Sequence, residues 1–255
     1  MIRQIWTIAY YTLLEAFRNR LSYLLLLILL IGVMLSGFLE ALAITESRVL
    51  QLTLLAAYLR LSAALFFATY VVTSLIREAN DKGLELLLST TLSRANYLLG
   101  KLLGYFLLAL LSGFLFGSLC LFFSDFLQAL FWTISLICEL WILISFSLLC
   151  ATSLYQVMFA LSVSLGFYGL ARSMDSLLLL ANEQFSVSSF SQNLIREFIQ
   201  GLARIVPHLE QFTRTEWLVY QTGSSETLVA IIGQTFLMLV LLNSAACFDF
   251  YRRNI

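Results

Sequence analysis

Residues 76–101 read IREANDKGLELLLSTTLSRANYLLGK and place a charged connector between two long apolar stretches of the chain. Asp81 is a favourable N-cap residue, and Ser93 can cap the helix that follows. Three leucines between them repeat at i, i+3 and i+4, as on one face of a helix: Leu84, Leu87 and Leu88. Because a solvated loop would not need this stripe, the pattern predicts a short surface helix between two spans.

Composition defines the class of protein. The chain has 255 residues, of which 60% are hydrophobic and 12% are charged, with one proline and a mean hydropathy of +0.90. An ordinary soluble domain is about 45–50% apolar and about 25% charged. The chain is therefore predicted to be an integral membrane protein embedded in a lipid bilayer. Its zero net charge and the lack of a basic tail argue against nucleic acid as a partner.

Six stretches are long and apolar enough to cross a bilayer, which takes about 20 mostly apolar residues. They are 21–44, 52–76, 97–123, 126–152, 154–171 and 227–248. No other stretch could fold as a soluble domain, so we expect one all-α, polytopic transmembrane domain over residues 1–255. Its two longest polar parts would be a cytoplasmic connector at 77–96 and an extracytoplasmic segment at 172–226.

Basic residues favour a cytoplasmic position for both termini. With the N-terminus inside, nine Lys and Arg residues lie on the cytoplasmic side and five on the far side. Four of the nine lie in the short connector, where the positive-inside bias counts most: Arg77, Lys82, Arg94 and Lys101.

Two stretches outside the predicted spans are amphipathic. In residues 1–20 apolar side chains recur at helical spacing, and Trp6 suits headgroup depth, so we expect an amphipathic helix in the membrane interface. The alternative is a simple lead-in to the first span. The second pattern, at 194–205, ends before Pro207 and predicts a helix on the outer leaflet. That helix could form an exit gate, receive a periplasmic partner or only seal the bundle against lipid.

Three stretches resemble ABC-2-type permeases, the membrane subunits of a class of ABC transporters. The connector follows the family's E…G-T-L-E-L-L-L-S-x-P-L-S-R…G-K pattern at Glu78, Gly83, Leu84, Glu85, Leu86, Leu87, Ser89, Ser93, Arg94, Gly100 and Lys101. TLLEAFRNR at 12–20 is similar to the family's elbow helix. VPHLEQF at 206–212 resembles the segment before the last span, as in the permease for copper-site maturation of nitrous oxide reductase. The family often has proline where this chain has Thr91, so the bend after the connector helix is left open.

This resemblance implies a subunit of the bacterial inner membrane that borrows its energy from another protein. Two permeases, as two copies or two homologous chains, would pair with two cytoplasmic ATPase subunits that carry ATP and Mg²⁺. The helix at 81–89 would be the coupling helix, seated in an ATPase groove. The residues expected at this contact are Glu78, Asp81, Gly83, Leu84, Glu85, Leu87, Leu88 and Arg94. The chain itself has no P-loop, and no cofactor is expected on it.

Three charged residues fall inside predicted spans, where a charge costs at least about 2.5–3.5 kcal/mol on insertion scales. Glu139 is expected to face the bundle interior. It is either a substrate or switch group, or a protonated carboxyl bonded to a serine or a backbone carbonyl. Glu40 and Arg60 lie near the outer ends of consecutive spans and could pair, because the arginine stem can reach outward. This pair would stabilise the first hairpin or contact the substrate.

Other notable side chains are interpreted as packing. The four cysteines lie in or at the ends of spans without metal or redox spacing, although soft sulfur ligands also suit passage of Cu(I). His208 has no zinc partner in the sequence, and no hydrolase or zinc-protease motif occurs. The pairs Gly100/Gly104 and Gly113/Gly117 in the third span and Ser162/Gly166 in the fifth have spacings that let helices approach, and we expect contacts within the chain for the third span.

Two classes of function remain. The first is the membrane half of an ATP-driven transporter, most simply an exporter of a hydrophobic or lipid-linked compound. The second is an ion-coupled carrier or a membrane scaffold without an ATPase. Carriers commonly show internal repeats, and no convincing repeat is present in the sequence. The connector favours the first class, and the lack of a catalytic constellation disfavours an intramembrane enzyme.

Overall fold

The structure, a computed structural model, describes residues 2–18, 21–42, 47–80, 93–154, 156–183, 197, 199, 201–203 and 206–252. The regular secondary structure of these residues is helical throughout. The helices are α1 (Ile2–Arg18), α2 (Leu21–Leu42), α3 (Ser47–Asn80), α4 (Arg94–Leu121), α5 (Phe126–Ser153), α6 (Val157–Arg172), α7 (Met174–Glu183), α8 (Thr215–Tyr220) and α9 (Ser225–Arg252). A 3-10 turn, Leu209–Gln211, precedes α8.

Four of these helices are long and apolar enough to cross a membrane: α3, α4, α5 and α9. α1 and α2 meet at 60° and together count as a fifth candidate. The prediction of an all-α fold is therefore confirmed, with four to five apolar helices of membrane-spanning length in the described part of the chain. α6 has 16 residues, about 24 Å at 1.5 Å per residue, which is less than the ~30 Å hydrocarbon core. The predicted fifth span therefore forms a helix that is too short to cross alone.

α5 is the centre of the bundle and contacts α3, α4, α6 and α9. It is apolar around most of its circumference, as expected for a helix enclosed by others. Trp132, Leu136 and Ile144 on α5 are fully buried. The predicted cap at the start of α4 is also present, since the Ser93 hydroxyl accepts the Asn96 N–H at 3.3 Å. Sequence and structure thus agree on α5 as an enclosed apolar helix and on the cap at the start of α4.

α1 packs along α4 for three turns. Asn96 donates to Gln4 at 3.3 Å, and Cβ atoms placed on the next two glycines of α4 would lie 2.7 Å from Ile8 and 2.6 Å from Thr12. Both partners advance by four residues at each contact, so the two helices run parallel. The sequence predicted a helix lying in the membrane interface here. In the structure α1 instead packs along α4, a helix of membrane-spanning length, and this packed face requires Gly100 and Gly104.

The predicted contacts of the third-span glycines occur within the chain, whereas a Cβ placed on Gly166 would meet nothing within 4 Å. Gly100 and Gly104 meet α1, whereas Gly113 and Gly117 meet Ile137 and Thr133 of α5. The cysteines agree with a packing role, because Cys120 and Cys150 belong to the main hydrophobic core and Cys138 to a second one. These outcomes match the interpretation from the sequence.

The ends of several helices meet at one end of the bundle, which we call the connector end because α3 ends there and α4 begins there. Tyr97 of α4 stacks on Phe250 of α9, with ring centroids 6.3 Å apart. Ser153, the last residue of α5, donates to Asp249 at 2.8 Å. The end of α9 and the two flanks of the connector therefore lie on the same side of the bundle.

Several predicted residues lie outside the described part of the chain. The connector helix at 81–89 does so entirely, with the expected contact residues Asp81, Gly83, Leu84, Glu85, Leu87 and Leu88. The side chains of Glu40 and Arg94 do so too, although both residues belong to helices. Of the amphipathic helix predicted at 194–205, residues 197, 199 and 201–203 are described, and they are helical.

Candidate functional site

The candidate site is built around Glu139, midway along α5. Its side chain is only 1% exposed, which confirms that it faces the bundle interior. α6 runs back beside α5 and ends next to Glu139. Tyr168 and Arg172, in the last turns of α6, both contact the Glu139 carboxylate. The short length of α6 thus places a helix terminus deep in the bundle.

Three side chains from two elements hold the Glu139 carboxylate. The Tyr168 hydroxyl donates to Oε1 at 2.9 Å, and the Thr213 hydroxyl donates to Oε2 at 2.6 Å. Arg172 Nη1 lies 3.6 Å from Oε1. A buried carboxylate is costly without a countercharge and hydrogen bonds, and this one has both. The arginine partner differs from both readings of Glu139 made from the sequence, since neither included a cation.

Arg172 also organises the chain segment that covers Glu139. Its Nη1 donates to the Leu209 carbonyl at 2.7 Å and to the Phe212 carbonyl at 3.1 Å. Leu209 and Phe212 are fully buried against the second hydrophobic core. Carbonyls that leave helical pairing inside a membrane protein need such internal donors. Residues 206–214, which include the 3-10 turn Leu209–Gln211, therefore form an irregular layer above Glu139, and Arg172 holds two of its carbonyls.

Thr213 is the pivot of this layer. It has a positive φ of 46°, which is rare for a β-branched residue and is maintained only where the surroundings impose it. Its backbone N–H donates to the Ser135 hydroxyl at 2.8 Å, and its side chain is bonded to Glu139. Its carbonyl accepts from Arg60 Nη1 at 3.1 Å. Contacts from α3 and α5 thus fix one strained residue.

Arg60 points toward this polar cluster. Besides the Thr213 carbonyl, its neighbours include Arg172, Glu139 and Tyr168. Within the described residues it forms no ion pair. The pairing with Glu40 expected from the sequence stays a prediction, because the Glu40 side chain is not described. In the described residues, Arg60 and Glu139 lie at one site.

A cavity of about 380 Å³ opens above the cluster, and we call it the outer cavity. Its lining consists of Arg60, Arg172, Asp175, Glu210, Arg214, Thr215 and Glu216. On one wall, His208 Nδ1 lies 3.1 Å from Asp175 Oδ1, and the Asp175 N–H donates to Glu210 at 3.2 Å. Seven polar residues around one space suit the binding of a charged or strongly polar solute.

A second ion cluster, centred on one buried lysine, lies at the connector end. Lys101 is 5% exposed, and its Nζ lies 2.6 Å from Glu78 and 3.4 Å from Glu15. These three residues come from α4, α3 and α1. The cluster therefore joins both flanks of the connector to the N-terminal helix, and it includes Glu78, which the sequence assigned to the ATPase contact.

The Glu139 cluster and the outer cavity above it form one site, which we call the outer site, and the sequence alone predicts part of it. Glu139 and Arg60 were selected as charges within spans, and 206–212 was noted as a motif. Arg172, Tyr168 and Thr213 were missed, because Arg172 was counted as an outer basic residue and the other two carry no signal of their own. The unusually short fifth apolar stretch was the available hint that Arg172 lies within the bundle.

The described residues contain no group of three or more His, Cys, Asp or Glu side chains arranged to hold a metal ion. His208 contacts Asp175 instead. No protein-family model and no curated protein matches the chain.

Proposed function

We propose that this chain is the membrane-spanning permease subunit of an ATP-driven ABC transporter of the ABC-2 type. In this proposal six membrane segments, with α1 as the elbow helix, form one subunit. Two such subunits associate with two cytoplasmic ATPase subunits, which bind ATP and Mg²⁺. Both termini and the connector lie in the cytoplasm of a bacterial cell, and the transporter acts as an exporter.

One observation carries the proposal: α3 is a continuous helix that joins the connector to the outer site. Glu78 in its last turn belongs to the Lys101 cluster, and Arg60 in its middle bonds the layer above Glu139. The two residues are 18 positions apart along α3, about 27 Å at 1.5 Å per residue. A displacement of the connector would therefore move a residue that lines the outer cavity.

The Lys101 cluster supports the same proposal. A connector that receives force from an ATPase needs firm attachment, and the buried Lys101 ammonium group supplies an ionic link to Glu78 of α3 and Glu15 of α1. α1 belongs to the same unit through Glu15 and through its packed face on α4. Movement at the connector would thus be shared by α1, α3 and α4.

The test is purification of the tagged full-length chain from its native membrane in mild detergent, followed by identification and quantification of associated proteins. We expect an ABC ATPase in about equal amount and ATP hydrolysis by the complex. Recovery of the chain without any ATPase, from membranes in which the chain is intact and folded, would contradict the proposal.

An ion-coupled carrier is the second candidate, and the buried Glu139–Arg172 pair favours it. Such carriers use intramembrane carboxylates and discontinuous helices, and here α6 ends beside Glu139 and the irregular residues 206–214 cover that carboxylate. A carrier would work without an ATPase, so the same purification distinguishes the two candidates.

A further inference from the structure

Charge is distributed unevenly in the outer cavity. Its floor contains Arg60 and Arg172 above Glu139, so two cations face one carboxylate and leave one positive charge. Its walls and rim contain three acids and one arginine, which leave two negative charges: Asp175, Glu210, Glu216 and Arg214. The cavity is thus positive at its base and negative at its opening.

The floor arginines retain hydrogen-bond donors. Arg172 uses Nη1 for its bonds to Leu209, Phe212 and Thr213 and for its contact with Glu139. Arg60 uses Nη1 for the Thr213 carbonyl and is also hydrogen-bonded to Tyr168. A guanidinium has five N–H donors in a planar fork that fits carboxylate and phosphate oxygens. Both residues line the cavity, so donors remain for an anionic group placed between them.

The acids of the rim are available to a cation. Glu216 is exposed and forms no ion pair in the described part of the chain, and Glu210 is bonded only to the Asp175 N–H among described residues. A ligand with an ammonium group near Glu210 and Glu216 would therefore complement the rim. The same ligand would place its anionic end on the floor.

We propose that the outer cavity binds a small zwitterion, with its carboxylate or phosphate between Arg60 and Arg172 and its ammonium group against Glu210 and Glu216. The volume of about 380 Å³ lies within the range of small-molecule sites, about 300–1,000 Å³. The inference rests on the proposed function, because it names the chemical class that the transport path recognises. The ligand is either a free zwitterion or the headgroup of a zwitterionic phospholipid.

Binding can be measured on the purified full-length chain by titration calorimetry with phosphoethanolamine. Inorganic phosphate and ethanolamine serve as the two half-ligands. We expect phosphoethanolamine to bind more tightly than either half. Arg60→Gln should weaken it at least about tenfold, because a charge-assisted hydrogen bond is lost. Glu216→Gln, at an exposed site where folding is unaffected, should weaken phosphoethanolamine but not phosphate.

Arg48→Gln is the matched control, since Arg48 is an exposed arginine on α3 that does not line the outer cavity. Equal binding of phosphate and phosphoethanolamine would overturn the proposal, as would an equal effect of Arg60→Gln and Arg48→Gln. Binding is measured without the ATPase. If phosphoethanolamine does not bind, the proposed association with an ATPase is unaffected. If no ATPase copurifies, the measured binding of phosphoethanolamine is likewise unaffected.

The source of the ligand is resolved in nanodiscs. In nanodiscs of phosphatidylglycerol, free phosphoethanolamine should bind. If nanodiscs of phosphatidylethanolamine abolish this binding, the lipid headgroup competes for the cavity and is its ligand. If they leave the binding unchanged, the cavity takes a free zwitterion. Either conclusion requires that phosphoethanolamine binds in the phosphatidylglycerol nanodiscs. Absence of binding in both kinds of nanodisc would contradict the inference.

Discussion

Lys101 Nζ lies 2.6 Å from the Glu78 carboxylate and joins the first turns of α4 to the last turns of α3. This contact closes the base of the connector, since α3 ends at Asn80 and α4 begins at Arg94. Glu15 adds α1 to the same cluster at 3.4 Å. The connector is therefore attached to three helices by a single buried ammonium group.

Replacing Lys101 with Met should destabilise the protein, because Glu78 would lose its countercharge in a largely buried position. We expect a loss of about 1–3 kcal/mol in the free energy of unfolding, the usual cost of an unsatisfied buried group. Part of it should return in the double variant Lys101→Met with Glu78→Met, because a buried ion pair can be exchanged for apolar residues. Thermal unfolding in detergent measures both. A double variant no more stable than the single one would show that the pair does not act as a unit.

Glu139→Gln should leave the fold intact and lower its stability. The amide can still accept from Tyr168, but Arg172 loses its countercharge inside the bundle. We expect a cost of about 1–3 kcal/mol, partly recovered by the double variant Glu139→Gln with Arg172→Gln. Thermal unfolding is again the measurement. An unchanged melting temperature for the single variant would mean that the ion pair contributes little.

Thr213→Val tests the layer over Glu139. Valine keeps the shape of the side chain but removes the hydroxyl that donates to Glu139 at 2.6 Å. Loss of a hydrogen bond to a charged group should cost about 1.5–3 kcal/mol. Thr215→Val is the matched control, because Thr215 lines the outer cavity and its side chain forms no hydrogen bond in the described part of the chain. Equal stability of the two variants would contradict the role of Thr213.

Gly104→Ala tests the packing of α1 on α4. The new Cβ would lie 2.6 Å from Thr12 and 3.1 Å from the Ala9 carbonyl, so the two helices must separate. We expect a loss of about 1–3 kcal/mol from overpacking and faster protease cleavage of α1. Gly233→Ala is the control, since its Cβ would meet nothing within 4 Å. If Gly104→Ala behaves like this control, α1 does not depend on close contact with α4.

Long apolar patterns made most of the fold predictable. Helices of 28 residues, such as α5 and α9, follow from composition and length alone. The cap at Ser93 and the glycine contacts were predictable because they depend on local spacing. The spacing of Gly100 and Gly104 did not show that their partner is α1, because that depends on which helices meet in space.

The outer site was only half predictable for the same reason. A charge in a span is conspicuous, so Glu139 and Arg60 could be selected from sequence. Their partners lie 29 to 153 positions away along the chain, beyond the reach of any periodicity. Arg172 in particular follows an apolar stretch that is a few residues too short to cross, and only the structure shows where that stretch ends.

The most direct test of the central claim is coupled ATP hydrolysis in variants of the connector. Leu87→Asp and Leu88→Asp would place an unpaired charge in the proposed contact, at a cost of several kcal/mol. Leu179→Asp, an exposed leucine on α7, serves as the control, and membrane insertion is measured for all three. We expect the two connector variants to insert normally but to lose both the associated ATPase and substrate-coupled hydrolysis, while the control retains both. Retention of association and coupled hydrolysis by the connector variants would contradict the transporter-subunit proposal.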